Sequence, residues 1–226
     1  MFGSKVFLVK NKRLIKIGKS WRDLVVPGAE KREKRKICKI YLFRHGGTKY
    51  NEKKIFTGWK DSKLSPLGLK HAKILAQKLK NKKIEVAFRT RLSRSKKTLK
   101  EVLKYHPECK IVIEDDRMIE RSYGKLQGMS HKKFIEKYGK KKFDIYHRSY
   151  DVAPPGGESI KMVEKRVISF IKDLLEFVKR EKVNVAISAH GNSMRPFRRY
   201  FEHLSIEEMM ELENPWNDYF EYSVDV

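Results

Sequence analysis

Short, nearly continuous apolar runs alternate along the chain with longer stretches in which apolar residues recur every three or four positions, a pattern that predicts strands separated by helices. Residues 37–43, 84–88, 111–113 and 183–189 read as buried strands, and residues 219–224 as a last one. Ser65 as N-cap and Pro66 at the first helical position open a helix with Leu67, Ala72, Leu75, Ala76 and Leu79 on one face. Another helix starts around residues 90–94 and runs to about Tyr105. Ser130 caps a helix with Phe134, Ile135 and Tyr138 inward, and residues 143–159, holding Pro154, Pro155, Gly156 and Gly157, read as irregular. Ser159 opens the longest helical pattern, with Ile160, Val163, Val167, Phe170, Ile171, Leu174 and Val178 on its apolar face. A helix from about Ser193 and one behind the capping box of Ser205 and Glu208 follow. The order predicts a three-layer α/β/α sandwich with a mainly parallel sheet.

The front of the chain is organised differently. Residues 5–10 and 13–18 flank Asn11 and Lys12 and predict a small hairpin, followed by a basic run over residues 30–36. The chain therefore divides into a basic hairpin and linker, 1–36, and a main domain, 37–226. The front piece reads as a hairpin on a sheet edge with a solvated linker, in preference to a nucleic-acid or partner-binding arm.

Composition narrows the class. With 40% hydrophobic and 36% charged residues the chain is a soluble globular protein, and no apolar stretch approaches the roughly 20 residues that span a bilayer. The first residues are too interrupted by lysine to form a signal peptide, so a cytoplasmic location is expected. The two cysteines, Cys38 and Cys109, have no CxxC spacing and are expected to be buried and reduced. A net charge of +25 attracts polyanions without choosing between nucleic acid, anionic lipid and phosphorylated metabolites.

Two strand ends carry the candidate chemistry. The first predicted strand stops at Arg44, His45 and Gly46, and the strand from residue 183 stops at His190 and Gly191, so one sheet edge can receive two imidazoles. Phosphoryl transfer needs a nucleophile, fixed cations around the oxygens and a proton for the departing alkoxide. Neutral His45 is the candidate nucleophile, and Arg44 offers a bidentate clamp that lysine could not reproduce. Arg94 and His190 complete a phosphate pocket, while Gly46 and Gly191 let backbone approach closely. By elimination, Glu120, in a loop beside Arg121 and Tyr123, is the proton donor.

These residues belong to a longer series: RHG at 44–46, Asn51, FTGW at 56–59, LSPLG at 64–68, ERSYGKLQG at 120–128, PP at 154–155, ES at 158–159 and AHGNSMR at 189–195. In order and over residues 37–226, the series resembles the cofactor-dependent phosphoglycerate mutases of the histidine phosphatase superfamily. The resemblance implies that His45 is phosphorylated by 2,3-bisphosphoglycerate and exchanges the phosphoryl group between the 2- and 3-hydroxyls of glycerate, a step of glycolysis and gluconeogenesis. It implies catalytic roles for His45, Arg44, Arg94, His190 and Glu120, and no metal. It places Asn51, Thr57, Gly58, Tyr123, Gly191 and Asn192 at the substrate.

Several positions depart from the family pattern. An arginine pair becomes His147 and Arg148, and a lysine becomes His131, with Lys132 beside it; Gly47 stands where the family usually carries Glu or Gln. The long insert between PP and ES is reduced to Gly156 and Gly157, and no counterpart of the family's C-terminal tail appears before Val226. A shorter cover predicts more hydrolysis, because a phosphohistidine open to water is a phosphatase intermediate. The expected function is the mutase. Its alternatives are a broad phosphomonoesterase using the same phosphohistidine and a nucleic-acid-binding protein on a disused enzyme scaffold. Small phosphorylated metabolites are the expected partners, without membrane and with room for a homodimer.

Overall fold

The computed structural model describes residues 3–10 and 13–226, with the backbone alone for Ala29 and Glu30. Among the described residues seven strands form one sheet: β1 (Ser4–Lys10), β2 (Arg13–Gly18), β3 (Ile37–Arg44), β4 (Val86–Arg89), β5 (Ile111–Asp115), β6 (Val185–Ala189) and β7 (Tyr219–Asp225). The helices are α1 (Lys49–Glu52), α2 (Pro66–Leu79), α3 (Ser93–Val102), α4 (His131–Tyr138), α5 (Lys140–Arg148), α6 (Ile160–Glu181), α7 (Gly191–Glu202) and α8 (Ile206–Glu211). None of them is long and apolar enough to cross a membrane.

Strand order is β2-β1-β5-β4-β6-β3-β7. The central four strands are parallel, as the strand–helix alternation predicts. Both edges are antiparallel, so the expectation of a mainly parallel sheet is met in part: β7 runs against β3, and the front hairpin adds β1 against β5. No crossover helix intervenes between α8 and β7, so the last strand returns beside β3 in the opposite sense. The predicted hairpin turn at Asn11 and Lys12 lies outside the described residues.

Side chains alternate across the sheet with the period of two that strands impose. Ile40, Leu42, Val86, Phe88, Ile113, Val185 and Ile187 face α6 and α7, packing on Val163, Val167, Phe170, Leu174 and Phe197. Tyr41, Phe43, Ala87, Val112 and Ala186 face α2 and α3, meeting Leu75, Leu79, Leu99 and Val102. Ser65, Ser159 and Ser205 cap α2, α6 and α8 as expected, each accepting a backbone N–H of the first turn.

Three readings change. Leu67 is 52% exposed, one turn too early on α2 to reach the sheet. On α4 only Phe134 is buried, because this helix covers a small cluster of Phe56, Tyr123 and Leu126 and not the sheet. The segment expected to be irregular begins with α5, and the prolines act only after Arg148.

The front segment is no solvated linker. Trp21 is 1% exposed and packs edge-on against Phe88 and Phe177 in the main core. Arg32 is buried and donates to the carbonyls of Val26, Pro27 and Glu181, while Arg35 pairs with Glu85. Arg32 and Arg35 of the run are thus tied to Glu181 and Glu85 of the main domain, leaving Lys31, Glu33, Lys34 and Lys36 to solvent.

Candidate active site

β3 and β6 are adjacent and parallel, with Arg44 in register with Ala189, so the residues that follow them leave the sheet side by side. His45 and His190 accordingly sit with ring centroids 4.9 Å apart. One ligand-type atom each from His45, Glu120 and His190 lies within 4.8 Å of the others. By count this trio could hold a cation, but Arg44 and Arg94 act on both imidazoles. Permanent positive charge there suits an anion.

His45 Nδ1 lies 2.8 Å from the carbonyl of Gly46. A carbonyl only accepts, so Nδ1 carries the proton and Nε2 presents a lone pair. Burial, followed by the charges of Arg94 and Arg44, holds this imidazole well below its ordinary pKa. The ring is therefore neutral and nucleophilic near pH 7. His190 Nε2 lies 2.8 Å from Thr90 Oγ1. With Thr90 donating, the ring proton sits on Nδ1, which is buried without a protein partner and free to meet a phosphoryl oxygen.

Close backbone packing creates the cradle. A Cβ on Gly46 would meet the Gly68 carbonyl at 2.1 Å, and one on Gly68 would meet the Gly47 carbonyl at 1.7 Å. The first turn of α2 thus lies directly on the loop after His45, and only glycine fits. Thr98 Oγ1 accepts the Gly46 N–H at 3.0 Å.

Arg94, 1% exposed, donates to the carbonyls of Lys60 (3.0 Å) and Gly58 (2.7 Å), and burial lowers its pKa to about 10, leaving it charged. The guanidinium ties the loop of residues 56–60 to the pocket. Gly58 takes φ +51°, and Gln127 Oε1 accepts the Trp59 N–H, so the two loops flanking the site are fastened together. Arg44 donates to the Asn214 carbonyl at 3.1 Å and lies 4.8 Å over the Trp216 ring, while its Nε is buried without a partner. Gly191 admits this arginine, since a Cβ there would stand 3.3 Å from Cζ. Glu120 Oε1 accepts from the N–H groups of Arg121 (2.8 Å) and Asn192 (3.1 Å).

Arg44, Gly58, Glu120, Gly191 and Asn192 line a cavity of about 290 Å³. Asn51, Thr57, Gly58, Tyr123, Gly191 and Asn192 all reach it, and so do His131, His147 and Arg148. His45, Arg94 and His190 adjoin the lining without forming it: His45 follows Arg44, His190 precedes Gly191, and Arg94 bonds the Gly58 carbonyl. Sequence reading missed Arg195 and the segment 210–214, which also line the cavity. Arg195 was findable: it follows Gly191 by four positions on α7 and so shares its face. The segment after α8 carried no such signal.

At the outer end, His147 stacks on Phe143 and His131 lies 5.5 Å from it. Burial, then His131 and nearby arginines, push His147 down to about 4; burial and Lys54 lower His131. Both are neutral near pH 7, so the titratable substitute for arginine carries no charge in the free protein. The depressed histidines bind fewer protons folded than unfolded, and stability rises with pH across the interval. The urea midpoint should therefore fall from about pH 6.5 towards about pH 4. His147→Phe, which keeps the stack on Phe143, should reduce that slope and leave the share of His131, His45 and His190; an unchanged slope would assign the titration to those groups alone.

The histidine phosphatase superfamily (branch 1) profile matches residues 40–221. The phosphoglycerate mutase of Schizosaccharomyces pombe is 37% identical over 179 residues, 77% of this chain and 84% of the yeast protein. The chain belongs to the histidine phosphatase superfamily. Within it, the 2,3-bisphosphoglycerate-dependent phosphoglycerate mutase of Parvibaculum lavamentivorans is 38% identical over 76% of this chain and 84% of its own length. The fold is shared with a Bacillus anthracis phosphoglycerate mutase (TM-score 0.67, 21% identity, 84% and 93% of the two chains). It is shared equally with a mycobacterial glucosyl-3-phosphoglycerate phosphatase (TM-score 0.71, 22% identity, 83% and 90%). As a superfamily member the protein is an enzyme of phosphoryl transfer, with the imidazole pair at the place the strand ends predicted.

Proposed function

We propose that the protein is a 2,3-bisphosphoglycerate-dependent phosphoglycerate mutase, acting in the cytoplasm through a phosphohistidine at His45. The observation that carries this reading is a second group of cationic side chains in the same cavity. Arg44 lines it and acts with Arg94 on the adjoining His45 and His190, and Arg148 and Arg195 line the same cavity with His131 and His147. A phosphomonoesterase needs the first set alone, whereas a substrate anionic at both ends uses both. Relatives named as mutases support the same choice.

The residues present fit the bisphosphorylated primer, because Arg44 Nε, His190 Nδ1 and His147 Nδ1 are buried polar atoms without protein partners. When bound, 2,3-bisphosphoglycerate supplies the phosphoryl group that primes His45. The protein's own part is to keep Nε2 of His45 unprotonated, to hold phosphoryl oxygens against Arg44, Arg94 and His190, and to move a proton at Glu120. Glu120 gives that proton to a departing alkoxide and takes one from an attacking hydroxyl.

A second reading, a broad phosphomonoesterase, is favoured by one feature. Between Pro155 and Glu158 stand only Gly156 and Gly157, and the turn is fastened by Gly157 N–H to the Pro154 carbonyl and by Lys125 N–H to that of Pro155. So short a connection leaves little chain to exclude water. The test follows 3-phosphoglycerate with and without catalytic 2,3-bisphosphoglycerate, recording 2-phosphoglycerate and free phosphate together. Primer-stimulated isomer with little phosphate establishes the mutase. Phosphate without isomer establishes hydrolysis and removes it.

A further inference from the structure

The loop that carries Glu120 is held from behind by the front of the chain, which lies outside the family match at residues 40–221. Trp21 Nε1 donates to Asp115 Oδ2 at 2.9 Å, both side chains being buried. Asp115 ends β5 and caps the turn of residues 116–118, its Oδ1 accepting the Arg117 N–H at 2.9 Å. The Arg117 guanidinium returns to Asp115 (2.8 Å) and continues to Asp173 on α6 (2.6 Å). Arg22 donates to that same Asp173 oxygen at 2.8 Å. The front segment therefore grips Asp115 directly and Arg117 through Asp173.

From Arg117 the connection reaches the reacting group within three residues. Arg166 donates to the Arg117 carbonyl (2.6 Å) and, through its other nitrogen, to the Glu120 carbonyl (3.1 Å). The Trp59 indole N–H bonds the same Glu120 carbonyl at 2.7 Å. One guanidinium thus spans the turn from its gripped start to Glu120. A sheet needs no such device to hold a hairpin, since β1 already pairs with β5 along its length.

We infer that Trp21 and Arg22 are positioning residues for Glu120, acting through Asp115, Asp173 and Arg117, so that the front segment is a working part of the phosphoryl-transfer site. The inference rests on Glu120 as the proton donor. Trp21→Phe keeps an aromatic ring against Phe88, Phe177 and the Arg117 guanidinium and removes the N–H bond to Asp115. It should lower kcat/KM for an alkyl phosphate such as 3-phosphoglycerate about fivefold, the scale of one hydrogen bond. The same variant should leave p-nitrophenyl phosphate unaffected, because its leaving group departs without a proton. Arg22→Ala, at a side chain 65% exposed, should show the same selectivity with a smaller loss.

Repeating Trp21→Phe in a Glu120→Gln background separates the outcomes. Disappearance of the Trp21 effect there establishes that it acts through Glu120. An equal loss in both backgrounds, or for both leaving groups, overturns the positioning role while leaving Glu120 as donor. If Glu120→Gln itself changes nothing with the alkyl phosphate, the donor assignment fails first, and the positioning role with it.

Discussion

Replacing His45 by alanine should abolish turnover, by on the order of a millionfold, the scale seen when a covalent nucleophile is removed. The side chain is 2% exposed and bonds only the adjacent Gly46 carbonyl, so the loss leaves a small cavity and no orphaned partner elsewhere in the fold. The cradle around it is backbone: Gly46 against Gly68, and the Gly46 N–H on Thr98. The variant should therefore keep native secondary structure and its thermal transition. Acid-labile phosphate incorporated from a phosphorylated substrate, measured on both proteins, checks the mechanism, and turnover retained without His45 overturns it. His190 would not compensate, because its Nε2 is committed to Thr90.

Glu120→Gln should lower kcat by about 100-fold or more with little change in stability, the contribution of a positioned general acid. Both hydrogen bonds recorded for the carboxylate come from backbone N–H groups of Arg121 and Asn192, and a carboxamide oxygen accepts them equally well. What glutamine cannot do is exchange a proton or supply the negative charge that faces Arg44 and Arg94. Tyr123 stands nearby, yet burial raises its pKa above the ordinary phenol value, so near neutral pH it keeps its proton and cannot act as the base in the return step. Turnover and the melting temperature measured together decide the matter: a normal rate would move proton transfer to another group, and a collapsed melting temperature would make Glu120 a folding residue.

What the sequence made legible follows the range of the forces involved. Ser65 with Pro66, Ser159, and Ser205 with Glu208 marked helix starts because capping is settled within four residues. The strand ends at Arg44 and Ala189 placed two histidines together because parallel neighbours in a sheet share an edge. Arg44, His45, Arg94, Glu120 and His190 do converge, but the convergence of Arg94 depends on carbonyls at Gly58 and Lys60, which no local pattern announces. Trp21 was unreadable for the same reason. Its partners Phe88, Phe170 and Phe177 come from distant parts of the chain, and a tryptophan in a basic segment offers no periodicity to show which way it faces.

The place of β1 in the sheet also sets a timetable for synthesis. Its partner β5 is translated roughly a hundred residues later, which at about 5–20 residues per second is a delay of about 5–20 s on the ribosome. During that interval the hairpin of β1 and β2 has no third strand and, as an isolated pair, is marginal in water. Its apolar stretch Val6–Val9 is bracketed by Lys5 and Lys10, charges placed where they discourage nascent chains from pairing with one another. The lysines that crowd the front of this protein thus protect it before the enzyme exists, and Lys5 afterwards turns to Glu114 on the strand it was waiting for.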